Sequence, residues 1–111
     1  MSRPRILHPQ TRRAVDIVLE MTALTEAQLF AKSRAEELVM ARAYVYLILR
    51  HFNKWTFQAI AREFNRDHGT VLHSLRKLND LYEHDRYYRV QITQVLQKAI
   101  SGMGKVKVKS V

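Results

Sequence analysis

Arg66-Asp67-His68-Gly69-Thr70-Val71-Leu72-His73-Ser74-Leu75-Arg76-Lys77-Leu78 is the stretch that decides the fold. Asp67 can cap a helix by accepting from its first unpaired N–H groups. Val71, Leu75, Leu78 and, one turn on, Tyr82 then fall on one side of that helix at spacings of three and four. The opposite side carries Thr70, His73 and Arg76 or Lys77. Upstream, Thr56 can cap a compact helix to Phe64 with Phe57, Ile60, Ala61 and Phe64 as its inward stripe, and Trp55 with Ile60 has the spacing of a hydrophobic staple. Asn65 and Arg66 make the turn between them. Over residues 56–82 this predicts a helix-turn-helix, whose second helix enters the major groove of DNA and touches base edges with its first residues.

The rest of the chain agrees with a helical setting. Both prolines lie in the first nine residues and all three glycines at positions 69, 102 and 104, so the intervening sequence is nearly free of breakers. A first helix is predicted from Thr11 to Met21 with Val15, Val18 and Leu19 inward. Thr25-Glu26-Ala27-Gln28 has the capping-box pattern and opens a short helix to Ala31. Ser33-Arg34-Ala35-Glu36 repeats that pattern and opens a long helix to Phe52, with Leu38, Ala41, Val45, Ile48 and Phe52 on its core face. A last helix from Asp85 to Ile100 packs through Tyr88, Ile92, Val95 and Ala99. The expected architecture is an all-α bundle of about six helices. The expected organisation is a flexible basic arm over 1–10, one domain over 11–101 and a flexible Lys-rich tail over 102–111.

Composition narrows the partners. The 111 residues include 19 Lys and Arg against 10 Asp and Glu, a formal charge of +9. A surplus of that size favours a polyanion such as nucleic acid over an anionic membrane. There is no cysteine, which excludes disulfides, cysteine-rich zinc sites and thiol catalysis. No segment approaches the run of about 18 apolar residues that a membrane span needs, and the basic N-terminus lacks the apolar stretch of a signal peptide. The expected location is cytoplasmic and nucleoid-associated. No nucleophile stands beside a base, no carboxylate pair sits in an apolar context and no phosphate loop is present, so neither catalysis nor a cofactor is expected. His73 lies five residues beyond His68 with no clustered ligands, so no metal site is expected.

The Arg66–His73 run, together with Lys32-Ser33-Arg34 and Leu38-Val39-Met40-Ala41-Arg42, resembles the C-terminal DNA-binding domain of the bacterial replication initiator DnaA across roughly Asp16 to Ala99. The resemblance implies a helix-turn-helix related to Trp repressor that reads a short AT-rich box in double-stranded DNA. It implies that Arg34 enters the minor groove and that Asp67, His68 and Thr70 meet base edges in the major groove. It places Arg42, Arg50 and Arg66 on backbone phosphates, and Phe57 and Gln58 against the groove wall.

Two departures matter. Gly69 stands where the family has Ser or Thr, which removes one side chain from the reading tip and costs helix propensity of about 1 kcal/mol relative to Ala. Glu36 and Glu37 thin the basic loop. Because both erode a DNA surface, an alternative function is a protein-interaction adaptor, in replication or as a phage or mobile-element component reusing the fold. A second alternative is charge-driven, non-specific nucleic-acid binding. No ATPase module precedes the domain in these residues, and Met1 with the distinct tail leads to the expectation of a small stand-alone protein, monomeric or weakly associating.

Overall fold

The computed structural model describes residues 6–108, with side chains through residue 102. Six helices follow one another: α1 (Pro9–Thr22), α2 (Glu26–Phe30), α3 (Glu36–His51), α4 (Phe57–Phe64), α5 (His68–His84) and α6 (Arg86–Val108). No strand occurs among the described residues.

Helix α3 is the axis of the bundle. Of the residues from Leu38 to Leu49 only Val39 and Leu47 escape full burial, because α1, α2, α4, α5 and α6 all pack on it. The sequence periodicity marked one core face; a central helix surrounded by neighbours has no solvent face left to mark. The core joins Val15 and Val18 of α1, Leu29 of α2, Val45 and Leu49 of α3, Ile60 of α4, Val71 of α5, and Ile92 and Val95 of α6. Phe64 stacks on Phe30 and meets Tyr46 edge-on, with centroids 4.7 and 5.1 Å away, and so ties α4 to α2 and α3.

Side-chain caps set the entry of α2, α4 and α5. Thr25 and Gln28 form the complete capping box at α2. Thr56 Oγ1 accepts from Ala59 N at α4, and Asp67 Oδ2 accepts from Gly69 N at α5. The second expected capping box does not form. Ala35 is the residue before α3, without a side-chain cap, and Ser33 Oγ accepts from Ala35 N in the preceding turn. Glu36 therefore lies at the first helical position, two residues before the third one from which a box residue reaches back.

Trp55 directly precedes the Thr56 cap, the place of a staple residue, and makes a further contact there. It packs on the core, but its indole N–H donates to Gln10 Oε1 at 2.6 Å and its ring meets His8 edge-on, so it clasps the start of α1. The junction of α5 and α6 is a single residue. Asp85 accepts from Tyr88 N, and Arg89 donates to the carbonyls of Tyr82 and Glu83 at the end of α5. Helix α6 also continues past Gly102, where an arm was expected, to Val108. Residues 1–5 and 109–111 of the two expected flexible ends lie outside the described residues.

Candidate nucleic-acid interface

The turn between α4 and α5 is built by a left-handed residue. Asn65 adopts φ 51 and ψ 49 and closes α4 by donating to the carbonyls of Ala61 and Arg62. Asn tolerates this conformation better than most residues. The chain then turns through Arg66 and Asp67 into α5, exposing Asp67, His68 and Thr70 at its N-terminus. Gly69 leaves room for the cap: a Cβ there would stand 2.8 Å from Asp67 Oδ2 and would force the carboxylate to move. Asp67 therefore uses one oxygen on the helix, and His68 Nδ1 lies 3.9 Å from the other.

Opposite this tip runs the basic loop, residues 31–35, and the structure shows what holds it. Arg42 is 5% exposed. Its Nε donates to Leu29 O at 2.7 Å, its Nη1 to Ser33 O at 2.8 Å and its Nη2 to Ala31 O. Three carbonyls left over where α2 ends are thus satisfied by one guanidinium. Arg66 Nη2 donates at 3.0 Å to the same Ala31 carbonyl from the turn of the helix-turn-helix. Burial, and then the charge of Arg66, lower the Arg42 pKa, yet a guanidinium keeps its proton in proteins. The two arginines together fix the loop against the start of α5.

Arg42 is thereby withdrawn from its expected place on a phosphate. Its burial and its three carbonyl bonds make it the inner brace of the loop. The signal was in the sequence: it is the one charged residue in the twelve from Leu38 to Leu49, and a lone charge within an apolar run is more consistent with a satisfied interior group than with a surface contact.

Between loop and tip lies an open cleft of about 530 Å³. Ser33 and Arg34 line one wall, Asp67, Gly69, Thr70 and His73 the other, and the buried Arg42 and Tyr46 form its floor. Burial pushes the Tyr46 hydroxyl pKa up, against the opposing pull of Arg66 and Arg42. Arg34 is exposed on the loop and His68 on the outer side of the tip. Glu36 is engaged across the cleft's edge by Lys77 Nζ at 3.3 Å, so half of the acidic pair already has a cation beside it.

The remaining expected contacts lie elsewhere. Gln58 is exposed in the first turn of α4. Arg50, at the end of α3, donates to Trp55 O at 2.9 Å and stands over the Phe57 ring at 4.4 Å. These three occupy the α4 end of the molecule and do not line the cleft.

Residues 12–78, more than half of the chain, match the family described as the bacterial dnaA protein helix-turn-helix. The chain belongs to this family. Relatives it resembles are chromosomal replication initiator proteins DnaA. That of Campylobacter concisus is 24% identical over 88 residues, 78% of this chain and 20% of the relative. That of Sulfurimonas denitrificans is 26% identical over 92 residues, 78% and 21%. That of Streptococcus pyogenes serotype M5 is 29% identical over 76 residues, 68% and 17%. The chain thus spans about a fifth of the length of these relatives. The DnaA helix-turn-helix is a DNA-binding fold, and its α4–turn–α5 unit is the element described above. No helix among the described residues is long and apolar enough to cross a membrane.

Proposed function

We propose that this DnaA-type domain binds duplex DNA sequence-selectively, with the N-terminus of α5 in the major groove and Arg34 in the adjacent minor groove. The observation that carries the reading is the brace of Arg42 and Arg66 on the Ala31 carbonyl. It sets the exposed Arg34 on one side of a cleft and the exposed Thr70 on the other, with His68 exposed at the same helix tip, before any ligand arrives. A guanidinium suits the negative potential of a narrow AT-rich minor groove. Imidazole and a threonine methyl suit base edges in the major groove.

Asp67 reaches a base only through the oxygen its cap leaves over. Gln58 and the Arg50–Phe57 pair meet the backbone wall beside α4, and Arg66 approaches a phosphate with the donors that its loop contact does not use. The site is a short AT-rich, DnaA-box-like sequence, and the role is in replication initiation or its regulation. Nucleoid association in the cytoplasm and a single domain over 11–101 belong to the same reading.

The test is fluorescence anisotropy of the protein against a DnaA-box duplex and a scrambled duplex of equal length. A preference of about tenfold, equivalent to about 1.4 kcal/mol, supports sequence reading. Equal affinity for both duplexes overturns it in favour of charge-driven binding. With Arg34, Arg50 and Arg66 as the cations at the interface, log affinity falls against log salt with a slope of about −2.7.

A further inference from the structure

The back of α5 carries a second concave surface. Along α5 the residues Leu75, Leu78, Asn79 and Tyr82 lie on the side of the helix opposite Thr70 and His73, as a rotation of 100° per residue requires. Between this side, the end of α3 and the middle of α6 runs an open groove of about 670 Å³. Its floor is apolar: Leu78 and Ile92 are buried at the bottom, while Leu47, Leu75 and Leu96 are only partly covered by the protein's own packing. Tyr82, 40% exposed, and the partly buried Phe57 also line the groove.

The rim has one sign of charge. Arg50, His51 and Lys54 border the groove at the α3–α4 corner, and no carboxylate lines it. The neighbouring α5 carboxylate Asp80 faces His84 at 3.3 Å. Lys54 holds φ 60, a left-handed conformation that costs a residue with a Cβ roughly 1–2 kcal/mol. The lysine at this position puts a cation on the groove's edge.

Apolar floor and cationic rim select the occupant. A phosphate backbone suits the rim but has nothing for an apolar floor of this length. A second copy of the chain, at formal charge +9, is repelled. An amphipathic helix with an acidic polar edge satisfies both parts, its anchors at i, i+3 or i+4 and i+7 entering the floor. We propose that the groove behind α5 seats one acidic amphipathic helix of a partner protein, on the side of α5 away from the reading tip. The proposal stands on the groove's own lining; Arg50 and Phe57, at its α3–α4 corner, are shared with the wall proposed to meet the DNA backbone.

The probe is a labelled helical peptide of roughly 16 residues with Leu and Phe at the anchor spacing and Glu beside them. Two controls replace every Glu by Lys, or the anchors by Asn. Lys54→Glu and Tyr82→Ala are the protein variants, since both side chains lie on the edge of the groove and neither belongs to the proposed DNA surface. Binding by the Glu peptide, at least about tenfold weaker for either control, is expected. Loss of about fivefold or more in each protein variant, with unchanged melting and duplex affinity, completes the expected result. Equal binding of the Glu and Lys peptides, no binding, or no effect of the variants overturns the proposal. Loss of duplex affinity in the variants makes the groove part of the DNA surface. A dimer in sedimentation that Tyr82→Ala dissociates makes it a contact between copies. Either outcome overturns the acidic-helix assignment.

Discussion

The front of α5 and its back are both bordered by arginine, and the arginines act in different ways. On the front, Arg42 lies inside the protein with three donors on backbone carbonyls, Arg66 reaches the same carbonyl from the turn, and Arg34 alone extends into solvent. On the back, Arg50 stands over the Phe57 ring beside an apolar groove. Net charge therefore says little about where an anion is met; what matters is whether a guanidinium's donors already have partners. The front is a polar surface held from beneath by charge, and the back an apolar surface edged with it.

Removing the brace should break the front most severely. Arg42→Ala leaves three carbonyls near the end of α2 without their donor, and hydrogen bonds to charged groups contribute about 1.5–3 kcal/mol each, non-additively. A loss of about 3–4 kcal/mol in urea unfolding is expected, together with loss of duplex binding. Arg42→Lys should recover little of it, since one ammonium cannot span three carbonyls in a plane. A change below about 1 kcal/mol would show that the loop is held by something else.

The tip should separate cleanly from that brace. Arg34→Ala with His68→Ala is expected to lower affinity for the preferred duplex about a hundredfold, given about 1–3 kcal/mol per specific contact. The melting temperature should stay put, because both side chains are exposed. Unaltered affinity in the double variant would remove this geometry from consideration.

Alkaline unfolding probes the packing of α3 on α6. Burial pushes the Tyr44 hydroxyl up to about 12, with Tyr88 and Tyr87 adding to the shift. The unfolded value is about 10. The folded state thus holds the proton more tightly, and its contribution is complete below the unfolded pKa and disappears as pH rises through the folded one. Stability should fall by about 2 kcal/mol between pH 10 and 12. Tyr44→Phe should flatten that fall, and an unchanged profile in the variant would assign it to other groups.

The smallest expected effect concerns Asp67. Asp67→Ala should cost about 1 kcal/mol through the lost cap, whereas Asn caps as well as Asp and should cost almost nothing. If Asp67→Asn keeps stability but changes base preference across a panel of box variants, the carboxylate reads a base as well as capping. No change in preference confines it to the cap.

Local chemistry made much of the fold legible. Thr25, Thr56 and Asp67 each announce a helix start because a cap needs only neighbours in sequence, and all three form as the spacing predicts. The Ser33 box failed because Glu36 sits at the first helical position, not the third, a shift of two residues that pattern alone does not resolve. Gly102 looked like a stop, yet α6 passes through it. Tyr82, placed inward by its spacing, is instead 40% exposed on a groove wall, with the Arg89 guanidinium over its ring. The brace was hardest to foresee. Ala31 and Arg66 lie 35 positions apart, and their contact exists only once α3 has brought both ends together.

The shared Ala31 carbonyl also bears on the thermodynamics of recognition. A loop that orders only on meeting its ligand gives up conformational freedom at that moment, and binding then shows a large unfavourable entropy and a heat-capacity change beyond the area covered. Here the loop's freedom is surrendered once, during folding, when two guanidiniums converge on one oxygen. Whatever docks across the cleft meets two segments already in register, so little of its contact energy goes into ordering the loop.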